Sequence, residues 1–332
     1  MTSRDGKTQG RSVFVWPAMA LLLVAVLFIG GWYVAAHLAR ARGRTLIAGL
    51  NAAGKTLDCR DAAVTGFPIG FGVSCETIAY KDKREGFALT SGPTRAFIPL
   101  YDPFRVNVSL HGPASIAAVP DIAPLALDWK RLDAYLSFGL NDLTGILIEG
   151  KAVYIKNASG SGVDVALLKL GGAKITIEPN GSDLDIAASL ADIAFGAALP
   201  DMQRLAPISG TGKIRVYNGA GLLQTGLQSL RDRQFAINKL EIDPGPDSSA
   251  TISGNISFDS EGLADGTLRV TLHNLKELSA ILVQAFPQAA PKIEPAFAML
   301  GTLGNDQTLP VQLHRGKITL GFFNIGRLPP VD

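Results

Sequence analysis

The chain has 332 residues, 47% hydrophobic and 18% charged, with 36 glycines and a formal net charge of +2. It is too apolar and too weakly charged for a disordered chain. The charge balance excludes a global basic field of the kind that gathers nucleic acid. Two cysteines and four histidines exclude most zinc and iron–sulfur architectures.

Residues 12 to 39 contain no Lys, Arg, Asp or Glu, and Pro17 to Ala36 is nearly all apolar. An α-helix crosses a bilayer core with about 20 such residues. Trp16 stands at one end of the run and Trp32 and Tyr33 at the other, as interfacial aromatics do. The expected organisation is a short cytoplasmic tail (1–12), a transmembrane anchor (13–38), a helical linker (39–56) and a β-rich periplasmic domain (57–332). Val34-Ala35-Ala36 offers the rival reading, a signal-peptide cleavage site. Arg4, Lys7 and Arg11 before the run balance Arg40, Arg42 and Arg44 after it, so basic residues do not orient the anchor.

The cysteines orient it instead. Cys59 and Cys75 fall in strand-like stretches, with Gly66, Phe67 and Pro68 reading as a turn between them, so the two meet across a hairpin. A disulfide there is worth about 3 kcal/mol in the chain-entropy model and persists only in an oxidising compartment. Two buried cytosolic thiols are the alternative.

Past Arg44 the pattern becomes period-2. Arg105–Leu110, Val153–Lys156, Lys174–Ile177, Lys213–Val216, Thr267–Leu272 and Lys317–Leu320 alternate polar and apolar, the mark of strands with one wet face. Gly112, Gly150, Gly181, Gly212, Gly254, Gly266 and Gly316 read as turn punctuation, and Asp243–Asp247 as a long turn. Leu275, Leu278, Ile281, Leu282, Ala285 and Phe286 fit a helix ending at Pro287, and Ile293–Leu300 a second. The fold class expected is mainly β: a long, curved and twisted antiparallel sheet of short amphipathic strands with a few helices, plus the N-terminal transmembrane helix.

Chemistry is sparse. Gly49 to Thr56 matches the phosphate-loop string Gly-x4-Gly-Lys-Thr. No strand precedes it and no helical run follows, which argues against a nucleotide site. His37, His111, His273 and His314 show no metal-ligand spacing, and no Gly-x-Ser-x-Gly elbow occurs. Asp183 and Asp185 share one strand face, as solvated carboxylates do. No catalytic residue, metal site or cofactor is expected.

Cys59, then Gly66-Phe67-Pro68, then Cys75 resembles the opening of the domain-of-unknown-function family 2125 of Gram-negative bacteria. Phe87–Pro93, Tyr101-Asp102-Pro103 with Gly112-Pro113, Leu127-Asp128-Trp129, and Arg315–Gly321 with Gly326–Pro330 extend the resemblance over residues 45 to 332. Ile69-Gly70 departs from the pattern, which would place a bulky aromatic and a basic residue there. The resemblance implies a membrane-anchored envelope protein with no assigned activity. A sheet with one greasy face must bury it against another layer or a ligand. Two functions are therefore carried: a non-enzymatic protein holding lipid or another apolar ligand in a curved-sheet groove, and an envelope scaffold with a closed packed core. Partners on this reading are the inner membrane through residues 13–38, and lipid or envelope proteins.

Overall fold

The computed structural model describes residues 55–82, 86–117, 124–140, 142–158, 165–225, 229–320 and 323–331, with helical residues 19, 23, 29–32 and 37 before them. The expected anchor falls mostly outside these residues. Among the described residues no helix is long and apolar enough to cross a membrane.

The described strands join into one 19-stranded antiparallel sheet. β1 (Lys55–Arg60) and β2 (Ala63–Thr65) are two halves of one bent strand. So are β3 (Gly70–Cys75) with β4 (Thr77–Asp82), β5 (Phe87–Ser91) with β6 (Thr94–Pro99), and β7 (Arg105–Leu110) with β8 (Ala114–Ala117). β9 (Leu125–Phe138), β10 (Leu143–Asn157), β11 (Val165–Asn180) and β12 (Asp183–Phe195) follow. Then come β13 (Ile208–Val216), β14 (Gln234–Gly245), β15 (Ser248–Phe258), β16 (Ala264–His273), β17 (Gln307–His314), β18 (Lys317–Leu320) and β19 (Phe323–Arg327). Counting each bent strand once, every strand pairs with the next along the chain, a continuous meander.

Many strands are longer than expected: β11 runs 16 residues. The reason lies in the glycines. Gly112, Gly181 and Gly316 do interrupt or turn the chain, but Gly150, Gly212, Gly254 and Gly266 lie inside strands. A Cβ on Gly254 would come within 2.2 Å of the Thr267 carbonyl oxygen, and one on Gly266 within 2.2 Å of that of Asn255. Gly254 and Gly266 admit the neighbouring backbone rather than turn the chain. The expected long turn at Asp243–Asp247 is likewise corrected. β14 continues to Gly245, which pairs with Ser248, leaving only Pro246 and Asp247 at the tip. Lys55 and Thr56, expected in the helical linker, belong to β1, where Lys55 pairs with Asp82. The rest of residues 39–56 lies outside the described residues.

A line of irregularities crosses the first thirteen strands. It begins at Asp61, in the left-handed region (φ 52°), between β1 and β2. It passes Glu76, whose N–H donates to the Arg60 carbonyl at 2.9 Å, and Gly92, whose N–H donates to the Pro113 carbonyl at 3.0 Å. It continues through Lys130, Ala152 (φ 49°), Gly171 and Asp192 (φ 52°), and ends where the Asp192 N–H donates to the Ser209 hydroxyl at 3.2 Å. At this crease the apolar alternation slips by one residue: Ile146 and Ile148 become Val153 and Ile155 in β10. A bulge residue absorbs such a slip and keeps the apolar positions on one face.

Among the described residues after Lys55, the α-helices are α1 (Leu222–Thr225), α2 (Leu275–Ala285) and α3 (Ala290–Gly301). The two helices expected from the apolar period are α2 and α3. Asn274 caps α2 by accepting the Glu277 N–H, and Leu275, Leu278 and Ala285 are buried.

Candidate functional site

The strand register sorts the side chains into two unlike faces. One lateral row runs Val64, Val73, Ala96, Val108, Ala134, Ile148, Ile175, Ala188, Gly212, Leu240, Ile252, Val270, Leu309. Each residue pairs directly with the next, and all are apolar or glycine. The adjacent row, one residue along each strand and so on the other face, runs Ser74, Arg95, Ser109, Asp133, Glu149, Lys174, Ser189, Thr211, Glu241, Thr251, Thr271, Thr308. All of these are polar. The apolar face therefore runs from β2 to β17 without a break.

Every member of the apolar row is half-buried, and none is sealed. The same face supplies its own control. Where Gly219 lies over Leu184 and Val216, those residues are only 5% and 3% exposed. The α2 residues Leu275 and Leu278, buried where the helix packs on the sheet, are likewise only 2% and 5% exposed. Covered positions close completely, and the central row does not. Its residues are screened by their lateral neighbours, and among the described residues no second sheet overlies them.

The sequence-predicted residues sit at one end of this face. Cys59 and Cys75 form a disulfide, with Cα atoms 5.4 Å apart. It spans the crease between the two halves of the first hairpin and shows that apolar positions on either side of the crease share a face. Gly66, Phe67 and Pro68 form the hairpin tip, with the Gly70 N–H donating to the Gly66 carbonyl at 2.8 Å. Gly66 has φ +108°, and a Cβ there would lie 2.9 Å from the Gly70 carbonyl oxygen, so the turn requires glycine.

Trp32 docks on this tip. Its indole N–H donates to the Gly70 carbonyl at 2.9 Å. Its ring lies 5.3 Å from Phe67, edge-on, and 6.4 Å from Phe71. The sequence reading placed Trp32 only by its position in the apolar run. Nothing in spacing alone paired it with a turn more than thirty residues away.

The polar face carries two adjoining clefts that share Arg131. One, of about 560 Å³, includes Arg95, His111 and Asp133; the other, of about 660 Å³, includes Glu149, Lys151 and Lys174. Their charges are largely self-satisfied. Arg131 bonds Asp133, and Lys174 lies 3.1 Å from Glu149. Burial pushes the Asp133 carboxyl up, but bonds from Arg131 and Ser109 outweigh it and hold the group below its usual range. His273 and His314 stand at opposite ends of the β16–β17 ladder, paired with Asp306 and Asp265 respectively. Of the phosphate-loop string, only Lys55 and Thr56 are described, and both are strand.

A family model described as an uncharacterized protein conserved in bacteria, DUF2125, matches residues 32–329. The chain belongs to the DUF2125 family. That match takes in the Cys59–Cys75 hairpin, the whole apolar face and Trp32. Among curated proteins no match is found. The family description names no activity.

Proposed function

We propose that this DUF2125 protein is anchored in the bacterial inner membrane by residues 13–38, carries its sheet in the periplasm, and holds lipid or another long apolar molecule against the apolar face. The observation that carries this reading is the unbroken, half-buried row from Val64 to Leu309. Apolar area left partly in water costs about 25 cal/mol per Å² relative to burial, so an apolar occupant is stabilised along the whole row. The disulfide supports an oxidising compartment. The scaffold reading needs this face closed by a second layer, and its half-burial speaks against that.

Native mass spectrometry of residues 45–332, secreted to the periplasm and purified without detergent, tests the proposal. A co-purifying lipid mass that is lost on solvent extraction supports it. A bare protein mass with oxidised cysteines would favour the scaffold.

A further inference from the structure

The turns at the Trp32 end of the first strands form an exposed apolar rim. Phe67 is 50% exposed, Ile69 69%, Leu100 50%, Tyr101 88%, Phe104 49% and Leu140 89%. They belong to three successive hairpin tips, β2–β3, β6–β7 and β9–β10, which the meander places side by side. The Leu100 N–H donates to the Ile69 carbonyl at 3.1 Å, and the Phe138 N–H to that of Phe104 at 2.8 Å. The charges there are few: Asp102 is paired with Arg105 at 3.6 Å, and Asp142 follows Leu140 by two residues. The next tip along, Asn180-Gly181-Ser182, is polar, so the rim is confined to the part of the sheet nearest Trp32.

We propose that this rim seats in the headgroup region of the bilayer, so that the apolar face opens directly onto the membrane. The occupant is argued from Trp32. It lies four residues before the end of the apolar run Pro17–Ala36 and is bonded to Gly70, the first residue of β3 beside the first tip. The rim is therefore held at the depth where the run leaves the hydrocarbon. Exposed aromatic and aliphatic side chains at that depth suit the interface, which takes an apolar body and a polar end together. Phe71, which Trp32 also touches, pairs with Ile98 on the apolar face, so the rim leads onto that face without a polar step. The inference rests on the reading of residues 13–38 as a membrane span.

The full chain, reconstituted in phosphatidylethanolamine–phosphatidylglycerol vesicles, tests it. Because Cys59 and Cys75 are bonded to each other, single cysteines label selectively. A fluorophore is attached in turn to Tyr101→Cys, Leu140→Cys, Leu23→Cys and Asp247→Cys, the last at the β14–β15 tip on the opposite end of the strands. Lipids spin-labelled near the headgroup are expected to quench the fluorophore at 101 and 140, and to leave that at 247 bright. Quenching at 23 by lipids labelled deep in the acyl chain, with 101 and 140 unquenched, overturns the rim while the anchor stands. No quenching at 23 overturns the anchor, and the rim with it.

Discussion

Gly171 faces Asp192 across the β11–β12 ladder so closely that a Cβ on Gly171 would lie 2.7 Å from the Asp192 Oδ2 and 2.9 Å from its Cβ. Asp192 itself holds a left-handed backbone at φ 52°. The two residues make the crease at this pair of strands, one by lacking a side chain and the other by accepting a strained conformation. Gly171→Ala is expected to lower stability by about 1–3 kcal/mol through overpacking. Asp192→Gly removes both the obstructing Cβ and the strain, so the double variant recovers most of that loss. Urea unfolding of the four proteins checks it; additive effects would mean that the pair does not define the crease.

The Cys59–Cys75 bond closes a loop of 16 residues at the start of the same crease. Cys59→Ser is expected to lower stability by about 3 kcal/mol under oxidising conditions. It should have no further effect in reductant, where the parent also loses the bond. Equal midpoints for parent and variant without reductant, with two thiols reacting in the parent, would contradict the bond.

Asp185 accepts from Arg215 Nε at 2.6 Å and Nη2 at 2.8 Å, and from Asn180 at 2.9 Å. The Arg215 bonds, then the Asn180 bond, lower its pKa from 3.8 to about 2. A lowered carboxyl pKa stabilises the fold above the unfolded value, and that contribution disappears as pH falls through the folded value. Both partners are about one-third exposed, so Asp185→Asn should cost only about 0.2–1 kcal/mol at neutral pH. The difference in melting temperature between parent and variant should shrink between pH 4 and pH 2. A difference that stays constant to the lowest pH would contradict the linkage.

Open and sealed apolar positions should respond differently to truncation. Leu278, on the buried side of α2 at 5% exposure, should cost about 2–5 kcal/mol of stability on Leu278→Ala. Ile175, half-buried in the central row, gives up less buried area, and Ile175→Ala should cost about 1 kcal/mol, in proportion to area. Equal losses in urea unfolding would mean that the central face is a closed core.

Much of the sheet is written locally. Period-2 alternation in Lys174–Ile177 or Thr267–Leu272 needs no partner to be read, and the cysteines with Gly66-Phe67-Pro68 between them outline the first hairpin. The helices were legible for the same reason, since Leu275, Leu278 and Ala285 repeat at the helical period. The crease was hidden because it is a property of register. Ala152 and Asp192 are ordinary residues that become left-handed only where several strands bend together. Glycines such as Gly254 misled in the same way: a turn and a close backbone approach demand the same residue, and only the neighbouring strand tells them apart. The rim was missed because Leu100, Tyr101 and Leu140 are distant in sequence and adjacent only once the hairpins are stacked.

The proposed function requires that the apolar face, and not the polar one, hold an apolar ligand. Photo-crosslinking of the full chain in cells, with benzoylphenylalanine at neighbouring positions of opposite face, separates the two faces. Lipid adducts are expected by mass spectrometry at Ile148 and Ile175, and none at Glu149 or Lys174. Adducts at none of the four, or equal yields on both faces, would contradict it.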